Sequence, residues 1–196
     1  MEYQQSNKPG EIWYHCQLVK WLINRNYIPK NKETKILDLG SGLGYFYSTL
    51  KKAGYKQVFS VDRFPMLKEC IKGDITKRLP FKDGTFDLII SKDVVEHIID
   101  HEKFFAEQKR ILKKEGTIIV MTPNAEKMSL GDFYNDYTHV MPYTRKSLFE
   151  ALEMHGFTNV CVTRLRAIPL LWKHTIRAFD ILFSRRKNNL LAIAKK

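Results

Sequence analysis

The sequence has few of the features that mark secreted or membrane-spanning proteins. Its three cysteines, Cys16, Cys70 and Cys161, are odd in number and scattered, which indicates a reducing compartment and predicts no zinc site. No apolar run approaches the roughly 20 residues of a membrane span. The first residues, MEYQQSNKPGE, lack the basic-then-apolar order of a signal peptide, so we expect a cytoplasmic protein.

The composition also excludes disorder, collagen-like repeats and a coiled coil. Hydrophobic residues make up 44% and charged residues 28% of the chain, as in ordinary globular proteins. The 196 residues suit a single domain over 1–196, which buries enough surface to need no disulfide bonds.

Acidic residues are scarce towards the end of the sequence. The chain holds 33 Lys and Arg against 21 Asp and Glu, a net charge of +12, and residues 154–196 contain nine Lys or Arg against one acid, Asp180. Such a basic region favours an anionic partner, which could be nucleic acid, an anionic membrane or a phosphate-bearing substrate. The alternative is that this charge serves only solubility.

Short apolar runs alternate with helical patterns along the chain. Strands are predicted at Lys35–Leu39, at Val58–Val61, just before Asp74, and at Phe86–Ile90, Thr117–Met121, Phe157–Arg164 and Leu190–Ala194. Helices are predicted over 12–25, up to about Ala53, around Met66–Cys70, over about 101–114, and from an N-cap at Thr144 to Gly156. This alternation predicts a parallel sheet with helices on both faces.

The sequence Asp38-Leu-Gly40-Ser-Gly42-Leu-Gly44 follows the first predicted strand and opens a helix. Glycines at this place let the backbone bend sharply and approach a ligand closely. The spacing differs from the Gly-x-Gly-x-x-Gly of dinucleotide-binding loops, and Asp38 would repel a pyrophosphate but attract an ammonium group. The loop therefore favours a cofactor with a cationic part and makes a dehydrogenase the least favoured interpretation.

Two further carboxylates end the next two predicted strands. Asp62 ends the second strand, where it can accept hydrogen bonds from ribose hydroxyls. Asp74 ends the third strand, where a carboxylate could meet an adenine amino group. The alternative is a glycine-rich turn beside solvated carboxylates, which requires that all these features coincide by chance.

These residues give the chain its resemblance to class I S-adenosylmethionine-dependent methyltransferases of the small-molecule type, in particular those of ubiquinone and polysaccharide pathways. The matching stretches are ILDLGSGLGYF (36–46), VFSVDRF (58–64), GDITKRLPFKDGTFDLIISKDVVEHI (73–98), RILKKEGTIIVMTPN (110–124) and YTRKSLFEALEMHGF (143–157). The resemblance implies a Rossmann-like, doubly wound α/β fold with a seven-stranded, mostly parallel sheet whose last strand is antiparallel.

The resemblance also implies a cofactor, S-adenosylmethionine, with S-adenosylhomocysteine as the product. It implies contacts to the methionine part from Asp38, Gly40, Gly42 and Gly44, to the ribose from Asp62 and Arg63, to the adenine from Asp74 and Ile75, and near the sulfonium from Ser91 and Lys92.

The sequence Asp93-Val-Val-Glu96-His97 follows the fourth predicted strand. It resembles the Glu-x-x-Glu-His segment of ubiquinone-pathway O-methyltransferases, which implies a divalent-metal site of the kind that suits Mg²⁺. The alternative, which we favour, is that Glu96 and His97 begin a helix and that no residue here binds a metal.

The stretch 125–143 is long for a connection in a compact domain, and such loops are often functional. Its Asp-x-Thr-His-Val-x-Pro-Tyr-Thr pattern resembles methyltransferases of polysaccharide pathways, and its place after the fifth strand puts it at the carboxyl edge of the sheet. His139 is a candidate base because imidazole titrates near neutral pH, or else it is structural. Together with Glu96 and His97 it forms the candidate catalytic set. Tyr14 and His15, in a helical cover over 1–30, are expected either over the cofactor or in the core.

Residues 169–187 interrupt what would otherwise be a tight hairpin between the last two strands. On a helix, Trp172, Ile176, Phe179 and Phe183 fall on one face, and Lys173, Arg177 and Lys187 fall on the other. This basic amphipathic insertion favours an anionic membrane surface or a lipid-linked acceptor as partner. The alternative is that it packs on this domain or on a second copy in a homodimer.

We therefore predict O-methylation of a small or lipid-linked metabolite by a cytoplasmic enzyme, with peripheral membrane attachment left open. A nucleic-acid methyltransferase is one alternative, but Ser91-Lys92-Asp93-Val94 stands where an Asn-Pro-Pro-Tyr-like tetrad would hold a flipped base. A non-catalytic cofactor-binding protein or membrane adaptor is the other alternative, against which the intact Asp38, Asp62 and Asp74 argue.

Overall fold

Seven strands form one sheet within the residues that this computed structural model describes, 9–165 and 189–196. They are β1 (Ile36–Leu39), β2 (Val58–Asp62), β3 (Ile71–Lys72), β4 (Phe86–Lys92), β5 (Leu112–Pro123), β6 (Thr158–Leu165) and β7 (Asn189–Lys195). Their order is β3-β2-β1-β4-β5-β7-β6, and neighbouring strands are parallel except where β7 is one of the pair. This confirms the predicted mostly parallel sheet with an antiparallel last strand.

The helices are α1 (Pro9–Asn24), α2 (Tyr45–Lys52), α3 (His101–Ile111), α4 (Leu130–Tyr134) and α5 (Arg145–Met154). The predicted N-cap of α5 is confirmed, because the Thr144 hydroxyl accepts a hydrogen bond from the Ser147 backbone N–H and the Ser147 hydroxyl accepts one from the Thr144 N–H. Gly156, with φ of +74°, follows the last turn of this helix.

Both faces of the sheet are buried. Alternate residues of its central strands point in opposite directions, so each of these strands contributes side chains to two cores. Leu37 and Ile89 belong to a core shared with α3 and α5. Ile36 and Leu88 belong to a second core, shared with α1 and α2. Strands covered on both faces need nearly continuous apolar sequence, and for this reason their apolar runs predict them from the sequence alone.

Two predicted helices differ from the structure. Residues 66–70 are not helical; Leu67 instead packs its side chain where a Cβ on Gly44 would stand. The helix predicted over 101–114 ends at Ile111, since Leu112 pairs with Phe86 of β4 and already belongs to the sheet. In both places a tertiary contact overrides a local helical pattern.

The strand order determines where a ligand can bind. From β1 the chain adds β2 and β3 on one side, and then β4 and β5 on the other. In open α/β sheets, ligands bind beyond the carboxyl ends of the strands at such a reversal. The predicted basic insertion, 169–187, lies outside the described residues. None of the described helices is both long enough and apolar enough to cross a bilayer.

Candidate active site

A cavity of about 1040 Å³ lies beyond the carboxyl ends of β1, β4 and β5. It is lined by α1 (Glu11, Tyr14, His15), the glycine loop and the start of α2 (Asp38, Gly40–Leu43, Tyr45, Phe46), the end of β4 and the turn after it (Lys92, Asp93, Glu96, His97), the end of β5 with the segment after it (Pro123, Lys127, Met128, Asp132, Asn135, Asp136, His139), and Asn189. Small-molecule pockets usually measure about 300–1,000 Å³, so this cavity is large enough to be one.

Two of the three glycines in the loop, Gly40 and Gly44, have no space for a side chain. A Cβ on Gly40 would stand 2.5 Å from a Val94 methyl carbon, and a Cβ on Gly44 would stand 2.0 Å from a Leu67 methyl carbon. Both glycines also have φ above +70°, which L-residues rarely adopt. Gly42 is different, because a Cβ there would meet no atom within 4 Å. Its backbone is therefore accessible to a ligand.

Asp38, at 3% exposure, is the most deeply buried acid of the loop. Its carboxylate accepts a hydrogen bond from the Tyr47 backbone N–H at 3.0 Å. Burial raises the pKa of Asp38 to about 7, the nearby Asp62 carboxylate adds to the rise, and the Lys92 ammonium partly offsets it. A ligand cation in the cavity would favour the ionised carboxylate, so this residue is suited to binding an ammonium group.

Asp62 is bonded to the glycine loop, whereas Asp74 is bonded to Thr76 and Arg63. The Asp62 carboxylate accepts hydrogen bonds from the backbone N–H groups of Gly42 and Phe64, both at 2.8 Å. The Asp74 carboxylate accepts hydrogen bonds from the Thr76 hydroxyl and backbone N–H, which lower the pKa of Asp74, and from the Arg63 guanidinium at 3.1 Å.

The structure places the predicted cofactor residues in two groups. Asp38, Gly40 and Gly42 line the cavity. The described lining does not include Gly44, Asp62, Arg63, Asp74, Ile75 or Ser91. Ser91 is buried at 1% exposure on β4, beside Leu39 of β1, and its hydroxyl has no hydrogen-bond partner among the described residues.

The predicted helical cover contributes Tyr14 and His15 of α1 to the cavity wall. The His15 ring stacks on Tyr45, with ring centroids 4.9 Å apart. Burial lowers the pKa of His15 to about 4, so this imidazole is neutral at physiological pH. It therefore serves as a flat, uncharged wall rather than a cation.

Glu96, His97 and His139, which we call the histidine–carboxylate cluster, meet in the same cavity. One ligand atom from each lies within 4.8 Å of the others, and the two imidazole centroids are 4.7 Å apart. Glu96 and His97 belong to a 3₁₀ turn, Val95–His97, directly after β4. The Val140 and Met141 backbone N–H groups donate to the Glu96 carbonyl, which attaches the segment carrying His139 to this turn.

Glu96 is completely buried. One carboxyl oxygen, Oε2, accepts a hydrogen bond from the Thr122 hydroxyl at 2.9 Å, whereas Oε1 has no partner among the described residues. Burial raises the pKa of Glu96 to about 8, and the charge of Asp93 contributes to this rise.

The hydrogen bonds of the two histidines assign their tautomers. His139 Nδ1 lies 2.7 Å from the Phe133 carbonyl oxygen, so it donates its proton there. The Thr138 hydroxyl donates to Asp136 at 2.6 Å and lies 2.8 Å from His97 Nδ1, so it must accept from that nitrogen. When neutral, both imidazoles therefore carry their lone pair on Nε2.

Asp93 does not join the cluster. It has φ of +54°, its carboxylate forms an ion pair with the Lys92 ammonium, and it accepts a hydrogen bond from Asn189 Nδ2 at 3.2 Å. The Asp93-x-x-Glu96-His97 spacing therefore does not gather its own three residues around one point. Among the described residues, His139 takes the place that the spacing would give to Asp93.

Sequence reasoning missed the polar residues that hold the cluster in place. Thr122 could have been found from the sequence, since its polar side chain follows the apolar run of β5. Asp136 and Thr138 lie inside the pattern that drew attention to His139, but nothing in the sequence shows that Thr138 meets His97. Nothing in the sequence around Asn189 indicates that its side chain bonds Asp93.

Comparisons with known proteins agree with this architecture. A methyltransferase-domain family model matches residues 13–162. A probable S-adenosylmethionine-dependent methyltransferase of Mycobacterium tuberculosis is 26% identical over 162 residues, which cover 76% of this chain and 58% of that protein. The chain spans 42% to 63% of the length of the first three curated relatives that it matches.

Solved structures share the fold. An S-adenosylmethionine-dependent methyltransferase from Archaeoglobus fulgidus matches with a TM-score of 0.69 and 23% identity, covering 98% of this chain and 100% of that one. A Haemonchus contortus phosphoethanolamine N-methyltransferase, solved with S-adenosylhomocysteine, matches with a TM-score of 0.68 and 17% identity, covering 91% and 52%. The chain belongs to the methyltransferase-domain family, and it has the class I fold of these methyltransferase structures.

Proposed function

We propose that this methyltransferase methylates an oxygen atom of a small or lipid-linked metabolite. The observation that carries the proposal is that the histidine–carboxylate cluster shares one cavity with the glycine loop. A hydroxyl acceptor must lose a proton as it is methylated, and it therefore needs a basic group nearby. An amine acceptor that is already neutral needs no such group.

The cofactor is proposed to bind along the glycine loop. Its ammonium group would pair with Asp38, whose burial makes a cationic partner favourable. The backbone at Gly42 is open to close approach. The adenosine part would extend towards Asp62, Arg63, Asp74 and Ile75, and the sulfonium would lie near Ser91 and Lys92. This placement is supported by Asp38, Gly40, Gly42 and Lys92, which line the cavity, and by Asp62, which accepts the Gly42 N–H.

The proposed reaction is an in-line displacement. The acceptor oxygen forms a bond to the methyl carbon, the carbon–sulfur bond breaks, and its electron pair goes to sulfur. The hydroxyl proton leaves towards the cluster, where His97 and His139 present Nε2 lone pairs. Most of the rate enhancement comes from alignment and exclusion of water, because the cofactor supplies the leaving group.

Transfer of labelled methyl groups to matched acceptors tests this proposal. Each hydroxyl compound (phenols, hydroxy acids, sugars and polyprenyl-linked sugars) is paired with its amine analogue, and an RNA sample serves as the nucleic-acid control. We expect labelling of a hydroxyl acceptor, and about 10²- to 10⁴-fold slower turnover in His139→Gln with unchanged binding of S-adenosylhomocysteine. His155→Gln is the matched control, because His155 bonds the Ala151 carbonyl and lies outside the described cavity lining. Labelling of amines or RNA alone, unaffected by His139→Gln, would contradict the proposal.

The predictions about partners also remain proposals. Residues 169–187 are proposed to contact an anionic membrane surface or the lipid part of an acceptor, and a homodimer is the competing role for the same segment. Binding of the full chain to anionic vesicles that disappears when 169–187 is deleted would support the first role, whereas a deletion that abolishes dimers alone would support the second.

A further inference from the structure

We propose that the histidine–carboxylate cluster binds a divalent transition-metal ion of the Zn²⁺ or Mn²⁺ class, and not Mg²⁺. The inference rests on the proposed function in that it assigns a ligand to the same cluster. It is carried by the geometry of three side chains, by the hydrogen bonds behind them and by one unpartnered buried oxygen.

The three ligand atoms are close enough to share one ion. They lie within 4.8 Å of one another, whereas a tetrahedral ion with bonds of about 2.0–2.2 Å separates its ligand atoms by about 3.4 Å. Small side-chain rotations of His97 and His139 would close this difference. Three protein ligands would leave a further coordination position open towards the cavity, as in catalytic metal sites.

The hydrogen bonds behind the histidines are those of preoriented metal ligands. A ligating imidazole almost always donates its second N–H to a carboxylate, a backbone carbonyl or a water, which fixes the ring and leaves the other nitrogen for the metal. His139 donates from Nδ1 to the Phe133 carbonyl, and His97 donates from Nδ1 to the Thr138 hydroxyl, which itself donates to Asp136. When neutral, both rings therefore carry their lone pair on Nε2, and one ligand atom of each ring lies within 4.8 Å of the other ring and of Glu96.

The carboxylate of Glu96 supplies an independent observation. Glu96 has 0% exposure, and its Oε1 has no hydrogen-bond partner among the described residues. A buried polar atom without a partner costs about 1–3 kcal/mol, so native proteins usually satisfy such atoms. A cation bound between Oε1 and the two imidazoles would satisfy it, while Thr122 holds the other oxygen in place.

The donor set indicates which metals fit. Two imidazole nitrogens and one carboxylate oxygen suit zinc, manganese, iron or cobalt, whereas Mg²⁺ strongly prefers oxygen ligands and retains several waters. Asp93, the extra oxygen ligand that a magnesium site would need, is paired with Lys92 and Asn189. The Mg²⁺ implied by the family resemblance therefore does not fit these residues. The prediction of no zinc site considered cysteine ligands, and this cluster uses none.

A bound dication would lower the pKa of an acceptor hydroxyl that contacts it. The chain's own residues would hold the ion, orient the acceptor and exclude water.

Calorimetric titration of the full, chelator-stripped chain with ZnCl₂, MnCl₂ and MgCl₂ tests the inference directly. We expect one Zn²⁺ or Mn²⁺ per chain, at least tenfold weaker Mg²⁺ binding, and at least tenfold weaker Zn²⁺ binding in His139→Gln and Glu96→Gln. His155→Gln, which also removes one histidine, should bind like the unmodified chain. Visible absorption after Co²⁺ addition gives a second readout, because bands from a nitrogen–oxygen site should be lost in His139→Gln and kept in His155→Gln.

Unchanged Zn²⁺ affinity in His139→Gln, or equal affinity for Mg²⁺, would overturn the inference. Thermal unfolding of each variant checks that it is folded. The result is separable from the proposed function, because metal binding is measured without an acceptor: a chain that binds Zn²⁺ at the cluster but methylates amines would disprove only the function, and O-methylation by a chain that binds no metal would disprove only the inference.

Discussion

The glycine-loop side of the cavity is built from the ends of adjacent strands and one turn, whereas the histidine–carboxylate side also depends on the long segment that follows β5. Gly42 meets Asp62 through one backbone hydrogen bond, and Asp38 lies at the foot of the same loop. Gly42 and Asp62 are 20 residues apart in the sequence, whereas Thr138 and His97, on the other side of the cavity, are 41 residues apart. The first side follows from strand ends and a turn, so it can serve a cofactor common to many enzymes. The second depends on a loop whose sequence can change with the acceptor.

Gly40 lies where the two sides touch, because Val94 packs on it and immediately precedes the 3₁₀ turn that carries Glu96 and His97. We expect Gly40→Ala to have the largest effect, since alanine must adopt a left-handed φ and overlap a β-branched side chain. The two costs together are about 2–4 kcal/mol of unfolding free energy. Thermal denaturation should show a Tm lower by roughly 5–15 °C, with binding of S-adenosylhomocysteine and of Zn²⁺ both weakened.

Gly54→Ala is the matched control for Gly40→Ala. Gly54 also has a positive φ, of +90°, but a Cβ there meets nothing within 4 Å. It should therefore show the cost of backbone strain alone. If Gly40→Ala weakens S-adenosylhomocysteine binding but leaves Zn²⁺ binding intact, the two sides are independent, and the coupling through Val94 is wrong.

Asp38→Asn should separate the two sides. The amide keeps an oxygen that can accept from the Tyr47 N–H but loses the charge for the cofactor ammonium. A charged hydrogen bond contributes about 1.5–3 kcal/mol, so affinity for S-adenosylhomocysteine should fall about 10- to 100-fold in calorimetry. Zn²⁺ binding at the histidine–carboxylate cluster should not change. Equal loss of both ligands would show that the cavity behaves as one unit.

The same substitution should stabilise the free protein. The folded pKa of Asp38, about 7, lies above the ordinary value of 3.8 for this side chain, so the folded chain binds more protons than the unfolded chain between these two pH values. This residue therefore makes stability fall as pH rises through that window. At pH 8, Asp38→Asn should have a higher Tm than the unmodified chain when no ligand is present, and the difference should disappear near pH 4.

The contrast between the two sides also explains what the sequence could predict. The buried strands, the turn from β1 into α2 at the glycine loop, and the Thr144 cap depend on local patterns, and these structural predictions were confirmed. The false helix at 66–70 shows the limit, because Leu67 is needed against Gly44 and a single turn has little helical stability of its own. The sequence predicts His139 as a candidate base, but it does not predict that His139 lies beside Glu96. That proximity depends on the hydrogen bonds from the Val140 and Met141 N–H groups to the Glu96 carbonyl. No spacing rule encodes such a long-range contact.

The smallest expected effect is a pH dependence confined to the glycine-loop side. Below pH 7 Asp38 becomes protonated, so affinity for S-adenosylhomocysteine should fall, by up to about tenfold for each further pH unit when only the ionised form pairs with the ammonium. Asp62 and Lys92 are the charged groups that act on Asp38, and His15, with a pKa of about 4, stays neutral throughout. Titrations at pH 6, 7 and 8 should show this slope in the unmodified chain and a flat response in Asp38→Asn. An equal slope in both proteins would assign the pH dependence to another group and remove Asp38 from the ammonium site.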